Sequence, residues 1–196
     1  MNDGKLHIPC VAASLDIFRQ ISDSIGTPGM STTAYVSGGI AIAYWLDGLR
    51  PANKLTAIFV PHLPLAQRFS SPLAAEANQA DARADGQADG LVCLDVSFKN
   101  FFALLHSGYP SRAHCIRQFE NITVFMLAPE DVILLNIATL SEDDMADIAL
   151  LAKKGLLDRE RIAQLAEEAL TGYIGCRGNI RQNLKRVTDT IALHAL

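Results

Sequence analysis

Ala34-Tyr35-Val36-Ser37-Gly38-Gly39-Ile40-Ala41-Ile42-Ala43-Tyr44-Trp45 sets the architecture of this chain. A short apolar run enters a glycine pair and a longer apolar run leaves it, which reads as strand 33–36, a turn, and a buried helix over 38–48. Arg50 and Pro51 follow. Lys54-Leu55-Thr56-Ala57-Ile58-Phe59-Val60 is then a second strand, stopped by Pro61 and Pro64. From residue 48 to residue 75 the chain has no Asp or Glu at all.

On the N-terminal side, Ser14 is positioned to cap a helix through Leu15, Phe18, Ile21 and Ile25 that ends at Gly26. On the C-terminal side, residues 74–90 are rich in Ala, Asp and Gly. They carry too little apolar surface to hold a helix, so an exposed, mobile loop or lid is expected there. Leu91 to Phe98 and Ile122 to Leu127 read as further buried strands. Helices then begin at Pro129, at Ser141 with Asp144 as a capping-box pair, at Asp158, and over 179–195. The expected fold is α/β (α+β): a mixed sheet flanked by helices over 1–128, then a C-terminal helical bundle over 129–196.

The 196 residues are 49% apolar and 19% charged, which argues for a packed globular chain. A net charge of −4 and the lack of a basic stripe speak against a nucleic-acid partner. The run Arg177, Arg181, Lys185 and Arg186 reads as a solvated helix face. Cys10, Cys93, Cys115 and Cys176 stand far apart without a CxxC pair, so no metal site is expected and a reducing, cytoplasmic setting is; Cys93 reads as core. No apolar stretch approaches the roughly 20 residues of a membrane span, and no membrane association is expected.

Glycines at a strand-to-helix step let a phosphate approach the backbone, where unpaired N–H groups attract anions; Ser37 adds a hydroxyl. The plainer reading is that Gly38 and Gly39 allow helix and strand to pack closely.

Val36-Ser37-Gly38-Gly39-Ile40-Ala41, Arg50 and Ala57-Ile58-Phe59 together resemble nucleotidyltransferase-like proteins related to toxins of bacterial toxin–antitoxin and abortive-infection systems. The likeness continues through Tyr109-Pro110-Ser111-Arg112, the strand 122–127, Ala128-Pro129-Glu130-Asp131-Val132-Ile133, Asp144 and Asp147, and Lys154-Gly155-Leu156-Leu157-Asp158. It covers roughly residues 30–170. The resemblance implies a nucleotidyltransferase-type sheet and a nucleotide site at the glycine step, formed by Ser37, Gly38, Gly39, Arg50 and Lys54. It also implies a strand bearing an Asp-x-Asp pair for two metal ions.

That pair is missing. Alignment on Ala57-Ile58-Phe59 puts Lys54 and Thr56 at its positions, and a slip of one residue puts Leu55 and Ala57 there. Two-metal phosphoryl transfer needs carboxylates to hold Mg²⁺, whereas a lysine repels the ion and pairs instead with phosphate or with Asp95. Asn136 stands near the family's usual lysine. Asp95, in an otherwise apolar run, falls where such folds carry a third carboxylate; the alternative is an acid paired with Lys54 or a backbone group. The expectation is a catalytically degenerate member that binds a nucleotide or anion, or a protein partner, with Mg²⁺ relevant only if transfer is retained. Two rivals stand beside it. One is an active transferase using Asp95, Asp47 or acids of the 81–89 loop. The other is a structural protein, such as a homo-oligomer. A His114–Cys115 dyad, an acidic cation site at Glu142-Asp143-Asp144 and base stacking by Tyr35, Tyr44 or Trp45 are weaker than thiol packing, helix capping and core or interface packing.

Overall fold

The computed structural model describes residues 3–25, 31–65, 68–73, 90–95 and 104–195. After a 3₁₀ turn at Asp3–His7, the elements are α1 (Pro9–Ser24), β1 (Thr32–Ser37), α2 (Gly38–Trp45), β2 (Lys54–Val60), β3 (Ser70–Pro72) and β4 (Leu91–Leu94). They continue with α3 (Tyr109–Arg112), β5 (His114–Gln118), β6 (Ile122–Met126), α4 (Pro129–Asn136), α5 (Glu142–Lys153), α6 (Arg159–Leu170) and α7 (Arg177–His194). The fold is mixed α/β with a C-terminal helical region. Residues 1–98 and 114–126 form one compact unit, and residues 99–113 and 127–196 form the other.

In the first unit, the described strands make one six-stranded mixed sheet in the order β3-β4-β2-β1-β6-β5. β1 lies in its interior, antiparallel to β2 and parallel to β6. It is buried along most of its length, as its continuous apolar run requires. α2 is apolar on all sides and accordingly buries Ile40 through Tyr44. β2 occupies Lys54–Val60 as read from the sequence.

α1 begins earlier than expected. Pro9 sits in its first turn, where a missing N–H costs nothing. Ser14 is not a cap: it is buried inside the helix, and its hydroxyl donates to the Cys10 carbonyl at 2.7 Å. Cys93 is also not core. β4 alternates, with Val92 and Leu94 buried and Cys93 exposed between them. The loop expected over 74–90 lies, apart from Gly90, outside the described residues, as do Gly26 and the strand expected beyond Asp95.

In the second unit, helix ends follow the local chemistry. Ser141 and Asp144 make a reciprocal capping box on α5, and Asp158 accepts the Arg161 N–H at 2.6 Å to cap α6. Gly155, with φ +68°, turns the chain after α5. Ile148, Leu151, Ile162, Leu165, Leu184 and Val187 are buried, each worth roughly 1.5–3 kcal/mol of transfer free energy. The cations of α7 are tied within the unit: Arg181 pairs with Glu167, Lys185 with Asp189 and Arg186 with Glu142. Among the described residues no helix is long and apolar enough to cross a membrane.

Candidate functional site

The β1–β2 register gives the glycine step its surroundings. Ser37 stands opposite Thr56 and Val36 opposite Ala57. Lys54, two residues before Thr56, therefore lies beyond the stretch of β2 paired with β1, and its side chain leaves the strand on the same side as Thr56. Leu55 is fully buried. Of the positions the two registers offered for an acid pair, Lys54 is exposed, Leu55 and Thr56 are buried, and Ala57 is half-buried.

The two glycines have different reasons. Gly38 has φ +64°, a conformation that strains any residue with a Cβ, although a Cβ there would meet Thr56 Oγ1 only at an ordinary 3.5 Å. Gly39 needs space: its Cβ would come within 3.2 Å of the Ala52 Cβ, so the connection to β2 passes close over it. Close packing therefore accounts for Gly39, whereas backbone conformation accounts for Gly38. Ser37 holds the N-cap position of α2 with extended backbone, and its side chain makes no capping bond to the helix. Gly39 is exposed, and Arg50 lies half-buried in the same connection.

Asp95 follows β4, which runs parallel to β2 with Lys54 opposite Cys93. Its own N–H donates to the Leu55 carbonyl at 2.8 Å, and its carboxylate sits 2.9 Å from Lys54 Nζ. The lysine side chain is 62% exposed and the aspartate 12%. The residues that approach the glycine step are thus Thr56, at Gly38, and Ala52, at Gly39. Among the described residues no three His, Cys, Asp or Glu side chains converge in a way that could hold a metal ion.

The other acids lie elsewhere. Asp47 lies two residues past the eight-residue α2, itself about 12 Å long, and pairs with Lys5 at 3.0 Å. Acids of 81–89 fall outside the described residues. Asn136 donates to Asp144 at 3.1 Å and ties the end of α4 to the start of α5. Asp144 is engaged in capping, and Glu142 pairs with Arg186. His114 packs its ring near Tyr44 and Trp45, at 6.0 and 6.1 Å. Cys115 is half-buried and leaves β5 on the opposite side from His114, which separates the two as a dyad. Tyr44 and Tyr35 are buried; Tyr35 stacks on Phe125 at 5.4 Å.

A buried network in the second unit was not legible beforehand. Asp131, in the first turn of α4, is fully buried and accepts two bonds from Arg112, Nη2 at 2.6 Å and Nε at 2.9 Å. Arg112 Nη1 also lies 3.3 Å from His106 Nδ1, which accepts the Gly108 N–H at 3.0 Å. With Nδ1 occupied as an acceptor, the ring hydrogen sits on Nε2 and donates to Glu168 at 2.8 Å. Gln164, and after it His106, holds the Glu168 carboxyl below its usual range. In the same turn of α4, burial pushes Glu130 upward, and the neighbouring Asp131 charge adds to the effect. The one advance signal was an acid at the third position of a helix beginning with proline; the first-turn dipole already explained it, so nothing pointed to an arginine 19 residues earlier.

Comparison of the chain with family models, with curated proteins and with solved structures returns no match.

Proposed function

We propose that the chain is a nucleotidyltransferase-like protein that has lost metal-dependent transfer and keeps an anion or nucleotide pocket at the β1–α2 step. The observation that carries this reading is the Lys54–Asp95 pair at 2.9 Å, on the strand whose Thr56 neighbours Gly38. A cation stands where the resembling family has a metal-binding acid, and it is neutralised by the carboxylate that would serve as the third acid. A divalent ion at that point would face Lys54 at close range, which opposes its binding. A phosphate would face Lys54, Arg50 and the backbone of an exposed Gly39, which favours its binding. Ser37 lies at the same turn and is itself buried.

In this reading Asp95 restrains the pocket. Its negative charge lies against Lys54 and repels an incoming phosphate by about 0.7 kcal/mol per unit charge at roughly 6 Å in a water-like dielectric. Asp95→Asn therefore tightens ATP binding about threefold or more, and Lys54→Ala weakens it. An active transferase using Asp95 requires the opposite: transfer of labelled nucleotide to protein or RNA, abolished in Asp95→Asn. Weaker ATP binding in Asp95→Asn, or transfer that depends on Asp95, would overturn the proposal.

A further inference from the structure

A cleft of about 710 Å³ opens in the sheet-bearing unit, with Leu6, Leu15 and Phe119 supplying apolar walls, Arg19 and Arg117 supplying cations and His7 an imidazole. Among the described residues no carboxylate lines it, in a chain whose net charge is −4. Arg19 is shared with Asp16 one turn earlier on α1, an exposed pair of the kind that yields readily to a better acceptor. Arg117 and His7 make no ion pair or side-chain hydrogen bond among the described residues. Two guanidinium forks from separate segments of one unit thus face a common space.

The backbone of β5 is shaped to bring Arg117 there. Cys115 stands opposite Phe125 and Arg117 opposite Val124, so Ile116 is an extra residue in the ladder. In an unbulged ladder Ile116 would pair with Val124 and Arg117 with Thr123, and the Arg117 side chain would leave by the other face of the sheet. The bulge lies on the edge strand of the sheet, where such insertions commonly re-aim a side chain. Gln118, next along the strand, also lines the cleft and adds a neutral donor.

We infer that this cleft binds a phosphate monoester with an apolar or aromatic body. Two guanidinium groups and an imidazole match a dianionic phosphate better than a single-charge carboxylate, and planar forks grip phosphate oxygens in pairs. The apolar walls take the rest of the ligand, in a space of the size usual for small-molecule sites. The site is separate from the β1–α2 step and stands whether or not nucleotide binds there.

The test uses the full-length protein and amide NMR with three probes: phenyl phosphate, benzoate and inorganic phosphate. Phenyl phosphate should shift Arg19, Arg117 and Phe119 resonances and bind more tightly than either of the other two. Arg19→Gln or Arg117→Gln should weaken it about tenfold, whereas Lys185→Ala, at an exposed position that does not line the cleft, should leave it unchanged. Both arginine changes are at exposed positions, so folding is preserved and the readout stays interpretable. The assignment falls if phenyl phosphate causes no shift at these residues at about 10 mM, if benzoate or inorganic phosphate shifts the same residues as tightly, or if neither arginine matters.

Discussion

Replacing Arg112 with methionine should damage the helical unit more than replacing its partner, because the two ends of the pair differ in access to water. The Asp131 side chain has no exposed surface, whereas Arg112 keeps 17%. Removing one member of a buried pair costs about 3–5 kcal/mol when the charge left behind is sealed from solvent. Arg112→Met leaves the Asp131 carboxylate in that state and also removes the contact to His106. The amides at the start of α4 offset part of the loss, by about 0.3–1 kcal/mol. The expected cost is therefore about 3 kcal/mol. Asp131→Asn keeps an acceptor for one guanidinium bond and leaves a cation that water can reach. Its expected cost is about 1–2 kcal/mol, the scale of weakened charged hydrogen bonds. Urea unfolding followed by circular dichroism gives both values, and hydrogen exchange at α4 amides locates the loss. The reasoning is refuted if Arg112→Met costs under about 1 kcal/mol, or if Asp131→Asn proves the more damaging change.

Three further outcomes follow from single groups. Burial raises the Glu130 carboxyl above its unfolded value, so its ionisation opposes folding at neutral pH and the penalty disappears as pH falls through the raised value. Glu130→Gln should accordingly stabilise the protein at pH 7 and lose that advantage near pH 4, as thermal melts at the two pH values would reveal. Burial likewise raises the Cys10 thiol: a thiol reagent should label exposed Cys93 and Cys176 at once, Cys115 more slowly and Cys10 only on unfolding. Rapid labelling of Cys10 in the folded protein would contradict its burial. Gly38→Ala should cost about 1–2 kcal/mol in urea unfolding through its left-handed backbone, without a steric clash.

Much of the architecture was readable from residue pattern alone. β2 and the capping box of α5 emerge where composition puts them, because each is governed by neighbours within a few residues. β3 and β5 were missed: a Ser-Ser-Pro segment and His114-Cys115-Ile116-Arg117-Gln118 have no alternating apolar pattern, and both lie at the sheet's edges, where pairing rather than burial makes the strand. Ser14 misled because capping residues also occur inside helices, back-bonded to a carbonyl four residues earlier. At the candidate site, the Lys54–Asp95 contact was one of two alternatives readable beforehand, since both flank apolar runs that belong in adjacent strands. The Arg112–Asp131 lock and the Arg19–Arg117 cleft were not readable, because each joins segments whose proximity only the folded topology creates.

The most direct test of the proposed pocket, in which a lysine stands in place of metal-binding acids, is a calorimetric titration with ATP, first in EDTA and then in excess Mg²⁺. The account predicts binding in EDTA that is no tighter once Mg²⁺ is present. Binding that appears only with the metal would contradict it.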